Sequence, residues 1–167
     1  MSKRQKKILF LGGERSGKSS IINRFATDTF NDSNNHPSGI HFVGKRLDGQ
    51  DTETQIWESS GQAQYQSMAI GFFTMSSTTV LVYDVTDESS FEEVRRIHRA
   101  IKSNYDLNSK IFIIGNKTDL AEQRKVSFAQ GFKLSSEVGA MFYEVSAKTG
   151  DNIKSLFKCI SQELQSN

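Results

Sequence analysis

Gly12-Gly13-Glu14-Arg15-Ser16-Gly17-Lys18-Ser19 reads G-x-x-x-x-G-K-S, a pattern with specific structural requirements. A strand must deliver the chain into a tight loop whose backbone N–H groups converge on an anion. Glycines permit the backbone angles and the close approach. A helix must then begin, so that its unbonded N–H groups and positive dipole end face the same anion. The flanks agree: the apolar run Ile8-Leu9-Phe10-Leu11 precedes the loop, and Ser20-Ile21-Ile22-Asn23-Arg24-Phe25 follows as a helix start. Backbone groups from Arg15, Ser16, Gly17 and Ser20 are thereby candidates for holding phosphates. Lys18 brings a full charge to the outer phosphates, and the Ser19 hydroxyl is a candidate magnesium ligand. Chance places the pattern in a chain of this length less than about 1% of the time. The bland alternative is a glycine-rich turn with a surface lysine.

Working outward, apolar strand-like runs alternate with helical periodicity. Strands are expected at 7–11, 40–47, 54–57, 80–83, 111–115 and 141–144, and helices at 18–27, 64–74, 90–104, 128–138 and 153–162. The third helix carries Phe91, Val94, Ile97, Ala100 and Ile101 on one face, with Glu92, Glu93, Arg95, Arg96 and Arg99 elsewhere. Alternation of this kind implies an α/β fold, a parallel sheet with helices on both faces. Residues 40–57 break the pattern: two strand-like runs flank Asp48-Gly49, a hairpin signal, so one strand of the six is expected antiparallel. The polar loop 31–39 follows the first helix and is placed to fold over whatever the phosphate loop holds.

The 167 residues and net charge of +2 suit one domain, residues 1–167, able to bury its own core. Cys159 cannot form an internal disulfide and reads as a small helix core residue, which implies a reducing compartment. No apolar run is long enough to cross a membrane. The basic cluster at residues 3–7 reads as a solvated terminus, and nothing supports nucleic-acid binding.

Two further motifs follow buried strands. Asn116-Lys117-Thr118-Asp119 is N-K-x-D, and Ser146-Ala147-Lys148 is S-A-K. With the phosphate loop, in this order, they make the chain resemble the Ras superfamily of small GTPases from about residue 7 to the end. The resemblance implies a six-stranded G domain, GDP or GTP as ligand, and Mg2+ as cofactor. It implies that Asp119 accepts the N1–H and 2-amino group of guanine, a donor pair that adenine lacks. It further implies that Asn116 braces the site, the Lys117 stem packs on the base, and the Ala147 N–H meets O6. Phe30 lies at the spacing of the aromatic that covers the base, Gly61 at that of a glycine that binds the phosphates, and Gln62 at that of the water-orienting glutamine. Gln55-Ile56-Trp57, Gly61-Gln62, Phe72-Phe73 and Gly39-Ile40-His41-Phe42 most resemble the Rab family. Phe42, Trp57 and Phe72 stand where Rabs present aromatics to effectors; ordinary core packing is the alternative for each. An exchange factor, effector proteins and a role in vesicle traffic are therefore implied. So is a cytoplasmic chain, peripheral on intracellular membranes only through a lipidated cysteine tail, which the sequence up to Asn167 does not contain.

Four departures fall on the γ-phosphate side. Pro37 stands where the family has a threonine whose hydroxyl and N–H it cannot supply. Glu58, followed by Ser59-Ser60, replaces an aspartate. Glu14 puts a carboxylate inside the phosphate loop, and Ala63-Gln64 replaces the Rab Glu-Arg. The expectation is strong GDP binding, a reduced GTP advantage and slow hydrolysis. The alternative expectation is a G domain held in one nucleotide state, a binding module that acts through its surface or as half of a tandem protein.

Overall fold

A computed structural model of the chain describes residues 5–32, 38–50, 53–106 and 109–166. Six strands form one sheet: β1 (Lys7–Gly12), β2 (Ile40–Lys45), β3 (Thr54–Ser59), β4 (Thr78–Asp84), β5 (Lys110–Asn116) and β6 (Met141–Glu144). Their spatial order is β2-β3-β1-β4-β5-β6. Every pairing is parallel except β2 with β3, where Phe42 lies opposite Trp57 and His41 opposite Glu58. The antiparallel hairpin expected from Asp48-Gly49 is present. Gly49 has φ 76°, and the Gln50 N–H donates to the Leu47 carbonyl at 3.1 Å.

Five helices cover the sheet: α1 (Lys18–Thr27), α2 (Ala63–Gly71), α3 (Glu88–Asn104), α4 (Phe128–Val138) and α5 (Ile153–Gln165). Alternation along β1 sets the two layers. Ile8 and Phe10 pack with Ile21, Ile22, Leu156 and Phe157 of α1 and α5. Leu9 and Leu11 pack with Ile70, Phe91, Val94 and Leu134 of α2, α3 and α4. This double-sided burial explains why the central strands read as unbroken apolar runs.

Several boundaries shift from the sequence reading, among them β3, which runs on to Ser59, α3, which starts at Glu88, and α5, which runs on to Gln165; three shifts have identifiable reasons. β4 begins at Thr78, not residue 80, because Thr78 and Thr79 are fully buried and pair with Ile8 and Leu9. β2 ends at Lys45, not residue 47: Leu47 turns away to join the core beside α5. The helix expected over 64–74 is α2 followed by a 3-10 turn, Phe72–Met75. The tighter turn sends Phe73 into the core and leaves Phe72 half-buried at the surface beside Trp57. Cys159 is half-buried, its thiol 3.7 Å from the Met141 sulfur.

The hairpin turn is fastened to α5. Gln50 Nε2 donates to the Ser161 carbonyl at 3.1 Å, the Ser161 hydroxyl to the Asp48 carbonyl, and Gln165 Nε2 to the Gly49 carbonyl at 2.8 Å. No helix among the described residues is long and apolar enough to cross a membrane.

Candidate functional site

The loop between β1 and α1 crosses the carboxyl end of the sheet, where open α/β sheets hold ligands. Gly12 is required there because a Cβ would collide with the Val82 carbonyl, and Gly17 (φ 95°) because one would collide with Asn116. Gly17 caps α1 without a side chain, so no side-chain cap meets the first-turn amides. Arg15 is unusual: it holds φ 62° with a full side chain, a conformation that costs an L-residue roughly 1–2 kcal/mol.

Lys18 is buried, and its Nζ donates to the carbonyls of Gly12 (3.0 Å) and Gly13 (2.8 Å). Burial lowers its pKa to about 8, against the opposing pull of Glu58 and Glu14. The Ser19 hydroxyl donates to Glu58 Oε2 at 2.8 Å. Burial raises the Glu58 carboxyl, while the Ser19 bond and the charges of Lys18 and His41 oppose the rise. The extra methylene of glutamate thus lets the carboxylate reach the loop serine directly. A hydroxyl and a carboxylate, with phosphate oxygens completing the sphere, make a donor set that suits magnesium. No group of three or more His, Cys, Asp or Glu side chains among the described residues could hold a metal alone. Pro37 and His36 lie outside the described residues.

Asn116 joins the phosphate loop to the second half of the site. It is 1% exposed, its Nδ2 donates to the Ser16 carbonyl (3.1 Å), and its Oδ1 accepts from the Ala147 N–H (3.2 Å). Asp119 Oδ1 accepts from the Ser146 hydroxyl at 2.7 Å, and its second oxygen has no protein partner among the described residues. Lys117 holds φ 69° and pairs through Nζ with Asp84 Oδ2 at 2.6 Å, stretching its stem along the site. A cavity of about 640 Å³ is lined by Arg15, Gly17, Lys18, Ser19, Ser20, Phe30, Asn116, Lys117, Asp119, Ala147 and Lys148. Most of the expected phosphate and base residues therefore meet in one cavity of small-ligand size; Ser16 is fully buried behind it and bonds Asn116 through its carbonyl, and Ser146 acts on it through Asp119.

Gly61 and Gln62 stand apart. Gly61 (φ 78°) is pressed on the phosphate loop, where a Cβ would lie 2.6 Å from the Glu14 nitrogen. Gly61 borders a separate cavity of about 540 Å³ between the loop, α2 and α3. Gln62 lines neither cavity; its Oε1 accepts from Gln64 Nε2 at 3.3 Å. On the outer face, Phe42, Trp57 and Phe72 form a row with ring centroids 5.5 and 5.6 Å apart, Phe42 being 54% exposed. The core-packing alternative fails for Phe42 but holds in part for Trp57 and Phe72, which are half-buried against the second layer.

Two participants escaped sequence reading. Asp84 positions Lys117, and Arg24 of α1 bonds the carbonyls of Ala147 (2.8 Å) and Lys148 (2.6 Å). The available signal for Arg24 was a cation on the same stretch of α1 as Ile21, Phe25 and Asp28, away from the phosphate-loop Lys18.

Comparison with known proteins agrees with this architecture. A family model described as Ras family matches residues 7–166. Ras-related protein Rab-13 of Canis lupus familiaris is 33% identical over 160 residues, spanning 95% of this chain and 79% of that protein. A matched span that contains the loop, both base motifs and all six strands leaves one conclusion: the chain belongs to the Ras family, as a Rab-like small GTPase.

Proposed function

We propose that this Rab-like GTP-binding switch is an uneven one. It grips a guanine base and two phosphates fully, registers the third phosphate weakly, and hydrolyses GTP slowly. The observation that carries the first half is the Asn116 bridge, which couples the phosphate loop to the Ala147 N–H and so joins both ends of a nucleotide-sized cavity. In this reading Asp119 takes the N1–H and 2-amino edge, Phe30 and the Lys117 stem flank the base, and Ala147 meets O6. Amides of residues 15–20 and the Lys18 ammonium hold the phosphates. Lys18 would exchange its two loop carbonyls for phosphate oxygens, and the negative ligand would draw its pKa back up.

Ser19 and Glu58 would hold magnesium, which supplies charge neutralisation at the phosphate oxygens. Glu58 reaches Ser19 on its longer stem. Glu14 adds like charge beside the third phosphate and crowds an arginine supplied by a partner. Pro37 removes an N–H and a hydroxyl. Gln62 must swing from Gln64 before it can orient water. A ligand shifts a conformational equilibrium only by its differential contacts, so GDP and GTP forms differ little. The Phe42-Trp57-Phe72 row is the surface read by effectors, an exchange factor acts at the switch, and residues 1–167 make one G domain working in vesicle traffic at intracellular membranes. Glu14 also favours a second reading, a G domain fixed in one nucleotide state that serves as a binding module.

Equilibrium binding of GDP and GTP, with and without magnesium, tests the proposal. Comparable affinities for GDP and GTP are expected, with or without magnesium; a large magnesium-dependent GTP preference would overturn it. Single-turnover hydrolysis separates the two readings, since measurable phosphate release supports the switch and none supports the fixed module.

A further inference from the structure

We infer that Arg24 is a positioning residue for base recognition, holding the backbone of Ala147 and Lys148 in register with the phosphate loop. The inference rests on the guanine-nucleotide reading and deepens it. Arg24 lies near the end of α1, six residues after Lys18, a rise of about 9 Å. Its side chain is 16% exposed. Nε donates to the Ala147 carbonyl at 2.8 Å and Nη2 to the Lys148 carbonyl at 2.6 Å. Nη1 donates to the Asp28 carbonyl at 3.0 Å and reaches its carboxylate at 3.3 Å. One planar guanidinium thus clips the far end of the loop-bearing helix to a segment more than 120 residues away in sequence.

The Ala147 carbonyl shares a peptide plane with the Lys148 N–H, so Arg24 fixes that plane directly and steadies the neighbouring plane that carries the Ala147 N–H through the shared Ala147 Cα. Ala147 is held from two directions: its N–H points at Asn116 Oδ1, and its carbonyl is fixed by Arg24. A base carrying O6 shares or takes over from Asn116 Oδ1 an N–H whose direction the two contacts already restrict, which is how an aligned donor discriminates. The fork geometry matters. A lysine ammonium can replace one of these bonds but not the pair of divergent carbonyl contacts. The Arg24 stem also packs beside Gly150, within the turn that follows.

The test measures dissociation constants of the wild type, Arg24→Gln and Arg24→Lys for three diphosphates. These are GDP, 6-thio-GDP (weaker acceptor at position 6, same Asp119 edge) and IDP (O6 kept, 2-amino lost). Loss of charge-assisted bonds predicts a fall in GDP affinity of about tenfold or more for Arg24→Gln. The GDP preference over 6-thio-GDP should shrink while the preference over IDP stays, and Arg24→Lys should fall between. An equal loss for all three nucleotides, with both ratios kept, overturns the positioning role and leaves plain structural support. Amide exchange at Ala147 and Lys148 in the nucleotide-free protein gives a second readout: Arg24→Lys should accelerate it, and unchanged exchange counts against the role. A wild type that binds none of the three would instead overturn the guanine reading itself.

Discussion

At the scale of single residues, Arg15 shows how the phosphate loop departs from the conformation its side chains prefer. A left-handed backbone costs an ordinary L-residue roughly 1–2 kcal/mol, whereas glycine's extra freedom in the unfolded chain costs about 0.5–1 kcal/mol. The first exceeds the second, so Arg15→Gly should stabilise the nucleotide-free protein by about 0.5–1 kcal/mol. Urea unfolding measures it, and a loss of stability would mean that the Arg15 side chain makes compensating contacts. Strain of this kind concentrates at ligand sites, and Arg15 lines the nucleotide-sized cavity.

At the scale of elements, α3 carries a titratable group on its buried side. His98 is 6% exposed, and its Nε2 has no partner among the described residues. Burial depresses its pKa below the ordinary 6.5, and Lys102 one turn on adds to the depression. Arg95 and Arg99 of the same helix and Glu137 of α4 border the same groove. The folded protein therefore holds His98 neutral where the unfolded chain would accept a proton. Its contribution is complete above pH 6.5 and is lost as pH falls through the depressed value. Unfolding free energies at pH 7.5 and 5.0 should differ in that direction, and His98→Gln should remove part of the difference. The elements themselves were largely legible. The limits of α1, α4 and β6 agree with apolar periodicity, because caps such as Ser127–Gln130 and Gly139 sit next to the pattern. α2 was less so: its buried residues are Gln66, Ala69 and Ile70, a weak apolar stripe, and its end is decided by where Phe73 finds room.

At the scale of the whole molecule, the site's first contacts were legible and their supports were not. Motifs announce Lys18, Asn116 and Asp119 because each stands in a fixed local spacing. Arg24 with Ala147 and Asp84 with Lys117 are tertiary contacts between distant segments, whose partners no local pattern names. The two packed layers also make a prediction. Phe157 stacks on Phe25 of α1 at 3.7 Å and packs with Phe10 of β1 at 6.1 Å. Truncating Phe157→Ala should cost about 3–5 kcal/mol and speed GDP release, because α1 and the Ala147 segment share that layer. Ile97→Ala in the opposite layer should cost about 2–5 kcal/mol and leave GDP release nearly unchanged. Urea melts paired with dissociation of a fluorescent GDP check both; equal acceleration of release would show that the layers are not independent.

The sheet, then, works as a bulkhead. Descent with modification can rework side chains over the layer that packs α2 and α3 without disturbing the layer beneath α1 and α5.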